Sequence, residues 1–184
     1  MRFLKRLLTS RRKRRRTAFG KNDSGATALE FAVLALPFFT LVLAILEAGL
    51  YHFVNRMFDN AVITASREIR TGQAHDSGFN ADTFKTHICD NLPDFLCSMD
   101  RLVVDVDKVE SFALAKSASE SLYDKDGDLK EDSNYEDAGP GEIVVVNAIY
   151  KWPMITSVLD LNLADHGNER YLTSTMVFRN EPWN

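Results

Sequence analysis

Few side chains in this sequence have the type and spacing to do chemistry, and Glu30 is the most unusual of them. It is the one charged residue in Ala26–Leu46, which reads ATALEFAVLALPFFTLVLAIL. A carboxylate at the centre of a membrane-crossing helix costs about 2.5–3.5 kcal/mol, and less near an end. Glu30 therefore calls for a partner or for a place at the headgroup level. Cys89 and Cys97 form a C-x7-C pair, with His87 close by. Zinc sites use other spacings, so no metal is expected there. Outside the cytoplasm the two thiols would pair as a disulfide, the alternative being two buried free thiols.

Asp124, Asp126 and Asp128 flank Gly127 in an acidic turn that invites a calcium reading. The EF-hand pattern wants glycine at its sixth place and glutamate at its twelfth, where this chain has Leu129 and Tyr135. A solvated acidic loop is the better expectation, with calcium kept as a weak candidate. Asp105 and Asp107 alternate with apolar residues, so they should share a solvated strand face rather than act as a carboxylate pair. His52, His75, His87 and His166 are scattered. Nucleophile-elbow, zinc-protease, phosphate-loop and dinucleotide motifs are all absent, so neither catalysis nor a cofactor is expected.

Positioning Glu30 requires a membrane helix. The 21 residues Ala26–Leu46 would span about 31 Å as a helix, enough for a hydrocarbon core of about 30 Å. They show no amphipathic period, as suits a helix surrounded by lipid. Pro37 lies inside and removes one backbone donor, which membrane helices tolerate. Residues 1–25 hold ten basic side chains and one acid, leaving 12 basic and 25 acidic residues in 26–184. Lysine and arginine beside a span are retained in the cytoplasm, so the remainder should face outward. Its acidity argues against nucleic acid as a partner. A cleaved secretory signal would have a shorter apolar core and a small-x-small site after it. Here the uncharged run Phe31–Leu46 is 16 residues, and the best such site, Leu46-Glu47-Ala48, is poor.

The segment Gly25-Ala26-Thr27-Ala28-Leu29-Glu30-Phe31 resembles the processing site of type IV prepilins. In that family a membrane peptidase cuts after a glycine, and a glutamate is the fifth residue of the mature chain. An aromatic follows and a long apolar helix begins at once. The resemblance thus implies Gly25 before the cut, Ala26 as the new N-terminus, and Glu30 and Phe31 as the glutamate and aromatic. Thr71-Gly72-Gln73-Ala74, Tyr150-Lys151-Trp152-Pro153 and Val177-Phe178-Arg179-Asn180-Glu181-Pro182 resemble the TadE family of tight-adherence (Flp-type) pilus-assembly proteins. The chain resembles that family from about Gly25 to Trp183. Phe31 stands where major pilins often have tyrosine.

Beyond the span, Val54, Met57, Phe58, Ala61, Val62, Ala65 and Ile69 recur at three- and four-residue steps, so the helix should continue to about Thr71 and stop at Gly72. Phe84 and Ile88 suggest a second, short helix ending before Pro93. Strands are expected at Leu102–Asp107, at Ile143–Tyr150 as the central one, and at Tyr171–Arg179 with Leu172, Ser174, Met176 and Phe178 on one side. The expected fold is α+β and pilin-like: a long transmembrane helix running into a small periplasmic domain, with an antiparallel sheet of three or slightly more strands. The organisation read from the sequence is 1–25 basic cytoplasmic leader, 26–50 transmembrane helix, and 51–184 extracytoplasmic domain.

The resemblance implies a minor pilin or pseudopilin in the bacterial inner membrane, with the pilus as a second address. It also implies the lipid bilayer, a prepilin peptidase, other pilins or pseudopilins and Tad assembly proteins as partners. The alternatives are an uncleaved single-pass envelope scaffold and, with less support, an anchored periplasmic enzyme.

Overall fold

The computed structural model describes residues 24–120, 122–123, 129–130, 132–154, 164–165 and 167–183. The leader before Ser24, the aspartates Asp124, Asp126 and Asp128, and His166 lie outside the described residues. The chain separates into a unit ending at Ile45 and a unit from Leu46 to Asn184.

Helix α1 runs Ser24–Arg70, and its helical assignment continues through Pro37. Among the described residues it is the one helix long and apolar enough to cross a membrane. Up to Ile45 most of its apolar side chains are exposed: Phe31 is 70% and Leu34 72% accessible. From Val54 onward the three- and four-residue rhythm takes over. Val54, Phe58, Ala61, Val62, Ala65 and Ile69 are buried, with Met57 half-buried beside them.

Gly72 ends this helix for two reasons. Its φ of +85° lies in the left-handed region that glycine enters without penalty. A Cβ there would also stand 2.6 Å from the Trp183 ring. Arg67 and Arg70 occupy the last turn, where positive charge suits the carbonyl end of the helix.

A short helix α2, Gln73–Asp76, leads to α3, Ala81–Asp90. The side chain of Asn80 caps α3 by accepting from the Thr83 N–H at 2.9 Å. Phe84 and Ile88 bury its inner face. Cys89, at the end of α3, is disulfide-bonded to Cys97 across the turn that contains Pro93.

The sheet has four strands in the order β2-β1-β3-β4. They are β1 Leu102–Val109, β2 Asn134–Tyr135, β3 Ile143–Pro153 and β4 Glu169–Arg179. The pairs β1–β3 and β3–β4 are antiparallel, whereas β2 pairs with β1 in parallel. The expected antiparallel trio is thus present, with a two-residue parallel edge added. A parallel neighbour needs a long return connection, and residues 110–133 provide it. That connection carries helix α4, Ala115–Glu120.

The two faces of β1 differ from the expectation. Leu102, Val104 and Val106 join the main core with α1, α3, β3 and β4, as their spacing requires. The opposite face is not solvated. Val103 packs in a second cluster with Leu122, Leu129 and Ile149, and Asp105 is buried at 7% exposure. Residues of the long connection supply that cover, and the Leu122 carbonyl accepts a hydrogen bond from the Lys130 N–H at 2.9 Å. The apolar anchors of the cover, Leu122 and Leu129, stand in an acidic, polar stretch with no periodicity.

Candidate functional site: the start of the long helix

Gly25, Ala26, Glu30 and Phe31 all lie at the beginning of α1, and all are exposed. Helical spacing places Ala26 and Glu30 four residues apart, on one face and within side-chain reach. Glu30 makes no ion pair or hydrogen bond with any described residue. Its neighbours along the helix, Leu29, Phe31, Val33 and Leu34, are all exposed apolar side chains. A polar group further along turns inward on the helix itself: Thr40 Oγ1 donates to the Leu36 carbonyl at 2.9 Å.

Gly25 contrasts with Gly72. A Cβ at Gly25 would meet nothing within 4 Å, and its φ is not positive. Neither backbone nor packing demands glycine there, and a glycine inside a helix costs about 1 kcal/mol relative to alanine. Among the described residues the fold thus supplies no reason for Gly25.

At the other end of α1, segments distant in sequence come together. Thr71-Gly72 and the C-terminal residues meet where the Trp183 ring lies against Gly72. The Glu181 N–H donates to the Arg70 carbonyl at 2.9 Å, and the Arg70 guanidinium pairs with Glu181 at 3.1 Å. Asn180 Nδ2 donates to the carbonyls of Ala138 and Gly139, at 3.1 and 3.0 Å. Tyr150-Lys151-Trp152-Pro153 completes β3, where Tyr150 is buried near the Phe58 ring and Trp152 is half-buried. Neither contact, Trp183 on Gly72 or Glu181 on Arg70, has a signature in the local sequence pattern.

Several titratable groups are tied into the structure in pairs. His75 Nδ1 lies 2.6 Å from Asp137, and His87 Nδ1 lies 3.0 Å from Glu68 with the Phe79 ring 4.5 Å away. Asn134, Asp105, Asn147 and Thr175 form one in-register polar row across all four strands. Thr175 Oγ1 donates to Asn147 Oδ1 within that row at 2.9 Å. Beside it, burial holds the Asp107 carboxyl above the usual range, helped by the charges of Asp105 and Glu136. The Asn134 amide, donating to Asp107 at 2.9 Å, opposes that shift. Among the described residues no group of three or more His, Cys, Asp or Glu is placed to hold a metal.

A family model described as TadE-like protein matches residues 25–67. Those residues form a TadE-like family domain, which begins at the glycine that the fold leaves unexplained. The segments around Gly72, Trp152 and Asn180 lie beyond the matched stretch. No curated protein and no solved structure matches the chain.

Proposed function

We propose that this chain is a minor pilin or pseudopilin of a tight-adherence pilus system, cut by a prepilin peptidase between Gly25 and Ala26. The TadE-like domain suggests a role in Tad pilus assembly. The observation that carries the finer reading is the start of α1: an exposed Gly25, an exposed Glu30 five residues on, and an unpartnered apolar helix after them. Water would add across the Gly25–Ala26 amide, giving a carboxylate on Gly25 and an ammonium on Ala26. Glycine weakens the first turn of the helix, so that amide opens to a peptidase more readily than one deeper in.

The proposed organisation is a cytoplasmic leader at 1–25, a membrane segment at 26–50 and an extracytoplasmic domain at 51–184. The single long apolar helix is consistent with single-pass anchoring. The basic leader supports a cytoplasmic N-terminus. A Cys89–Cys97 disulfide suits an oxidising compartment.

Cleavage would give Glu30 its partner. A carboxylate near hydrocarbon needs a counter-charge, and so does a buried ammonium. The Ala26 ammonium of a neighbouring pilin, or of the same chain four residues away, fits both needs. Glu30→Gln should leave expression and membrane insertion intact, because it lowers the insertion cost. It should reduce crosslinking to pilus components and piliation. Wild-type crosslinking and piliation in that variant would leave Glu30 as a headgroup-level residue only.

A further inference from the structure

The first turns of α1 in the folded unit keep an apolar surface. Leu46, Leu50 and Phe53 are all exposed there. On the same turns Tyr51 meets the start of β4. Its hydroxyl donates to the Tyr171 carbonyl at 3.5 Å, and the Arg170 guanidinium lies over its ring, 4.2 Å from the centroid. Arg170 stands opposite Trp152 in the β3–β4 register, and Trp152 packs half-buried against the main core. An arginine and two amphipathic rings thus gather just past the apolar run. Tyr51 follows Leu46 by about 7.5 Å along the helix, at ~1.5 Å per residue. The headgroup layer on each side of a bilayer is about 5–8 Å thick. With the apolar run in the hydrocarbon core, Tyr51 and Arg170 fall at headgroup depth.

The surrounding acids do not neutralise Arg170. It makes no ion pair with a described residue. Glu169, its neighbour in the strand, leaves on the opposite face of the sheet. The Asp165 carboxylate accepts from the Tyr171 N–H at 2.8 Å, and Glu47 is buried. Stacking on Tyr51 occupies the flat face of the guanidinium and leaves its fork of N–H donors at the edge, the geometry that suits two phosphate oxygens.

We infer that Arg170, held on the Tyr51 ring, binds the phosphate of a phospholipid headgroup in the leaflet next to the folded unit, with Trp152 in the same layer. The inference rests on the reading of α1 as a membrane anchor and adds a lipid site to the folded unit itself. An arginine stacked on tyrosine also serves simply to fasten β4 to α1, and the test separates the two roles.

The test uses the full chain in vesicles of phosphatidylethanolamine and phosphatidylglycerol, the second carrying a photoreactive diazirine on its headgroup. Flotation with the vesicles after an alkaline wash reads the anchor, and the map of crosslinks reads the site. Within residues 46–184 the crosslinks should fall on 46–53, 150–153 and 169–171. They should spare Trp183, which lies against Gly72, about 30 Å further along the helix direction. Arg170→Gln should lower the yield at 150–153 and 169–171 about fivefold, as loss of one basic contact with an anionic surface would. Arg170→Lys should recover part of it, because the charge stays and the fork does not. Excess inorganic phosphate should leave the yield unchanged, since the anchored chain meets headgroups at far higher effective concentration. Retention of the Cys89–Cys97 bridge checks the fold of each variant, and the wild-type map decides even where a variant fails to fold. A chain that does not float loses the anchor reading and this inference with it. A chain that floats, but whose crosslinks miss 150–153 and 169–171, ignore Arg170→Gln or vanish with inorganic phosphate, overturns the inference and leaves the anchor standing.

Discussion

Two stretches of one helix, Ser24–Ile45 and Leu46–Arg70, are both rich in apolar residues and have opposite fates. In the first, Phe31, Leu34 and Leu36 are 70–72% exposed. In the second, Val54, Phe58 and Val62 are at most 1% exposed. Composition does not separate them; periodicity does. The second stretch places its apolar groups at three- and four-residue steps, which one sheet face can cover. The first is apolar on all sides, so only a surrounding solvent of lipid or other helices can cover it. The contrast also assigns costs. Glu30 is expensive in the first stretch, while in the second the charged residues Arg67 and Arg70 sit without penalty in the last turn.

The largest effect that would sharpen this contrast is core truncation. Phe58→Ala should destabilise the domain by about 3–5 kcal/mol, because the ring is fully buried in the main core. Phe38→Ala should leave domain unfolding in denaturant unchanged, since Phe38 is exposed in the other unit. Equal losses from the two variants would erase the distinction.

Next is the disulfide. Replacing Cys89 and Cys97 together by serine should cost about 2–3 kcal/mol, from the freedom returned to the unfolded loop. Thiol labelling of denatured, unreduced protein taken from the envelope should find neither sulfur free. Full labelling of both would contradict the proposed outward placement of the domain.

The two glycines break the comparison differently. Gly72→Ala should destabilise by about 1–3 kcal/mol, because its φ is positive and its added Cβ meets Trp183. Gly25→Ala should leave folding unaffected, since a Cβ there is free. Unfolding curves of both variants read this directly.

The smallest effect belongs to Asp107. Its carboxyl is held above the usual range chiefly by burial, so the folded state takes up a proton more readily than the unfolded state. The sign follows: stability is fully present below the unfolded value near 3.8 and declines as pH rises through the raised folded value. Asp107→Asn should therefore stabilise at neutral pH and lose that advantage in acid. The gain should be under about 0.5 kcal/mol, because much of the side chain is solvated. Urea titrations of both proteins at neutral and acid pH would show it.

Much of this architecture is legible in the residues, and what is not has a common cause. The end of α1 at Gly72, the buried rhythm Val54–Ile69, the central run Ile143–Tyr150 and the inward set Leu172, Ser174, Met176 and Phe178 all follow from local periodicity. The parallel pairing of Asn134–Tyr135 does not, because two residues carry no period. Burial of Asp105 depends on Leu122 and Leu129 folding back from a polar stretch, a long-range event without a local signature. The seat of Trp183 on Gly72 joins residues from opposite ends of the folded domain's sequence. At Gly25–Phe31 the residue types carry the prepilin-like pattern, while the open space around Gly25 among the described residues has no sequence signature.

The central claim is that α1 begins, in the working protein, at Ala26. Intact mass and N-terminal sequence of the envelope-extracted chain, from cells with and without an active prepilin peptidase, test it most directly. A 159-residue chain starting Ala-Thr-Ala-Leu-Glu is expected when the peptidase is active, and the 184-residue chain when it is absent or when Gly25 carries a bulky side chain. A chain of unchanged mass in the presence of the active peptidase would contradict it.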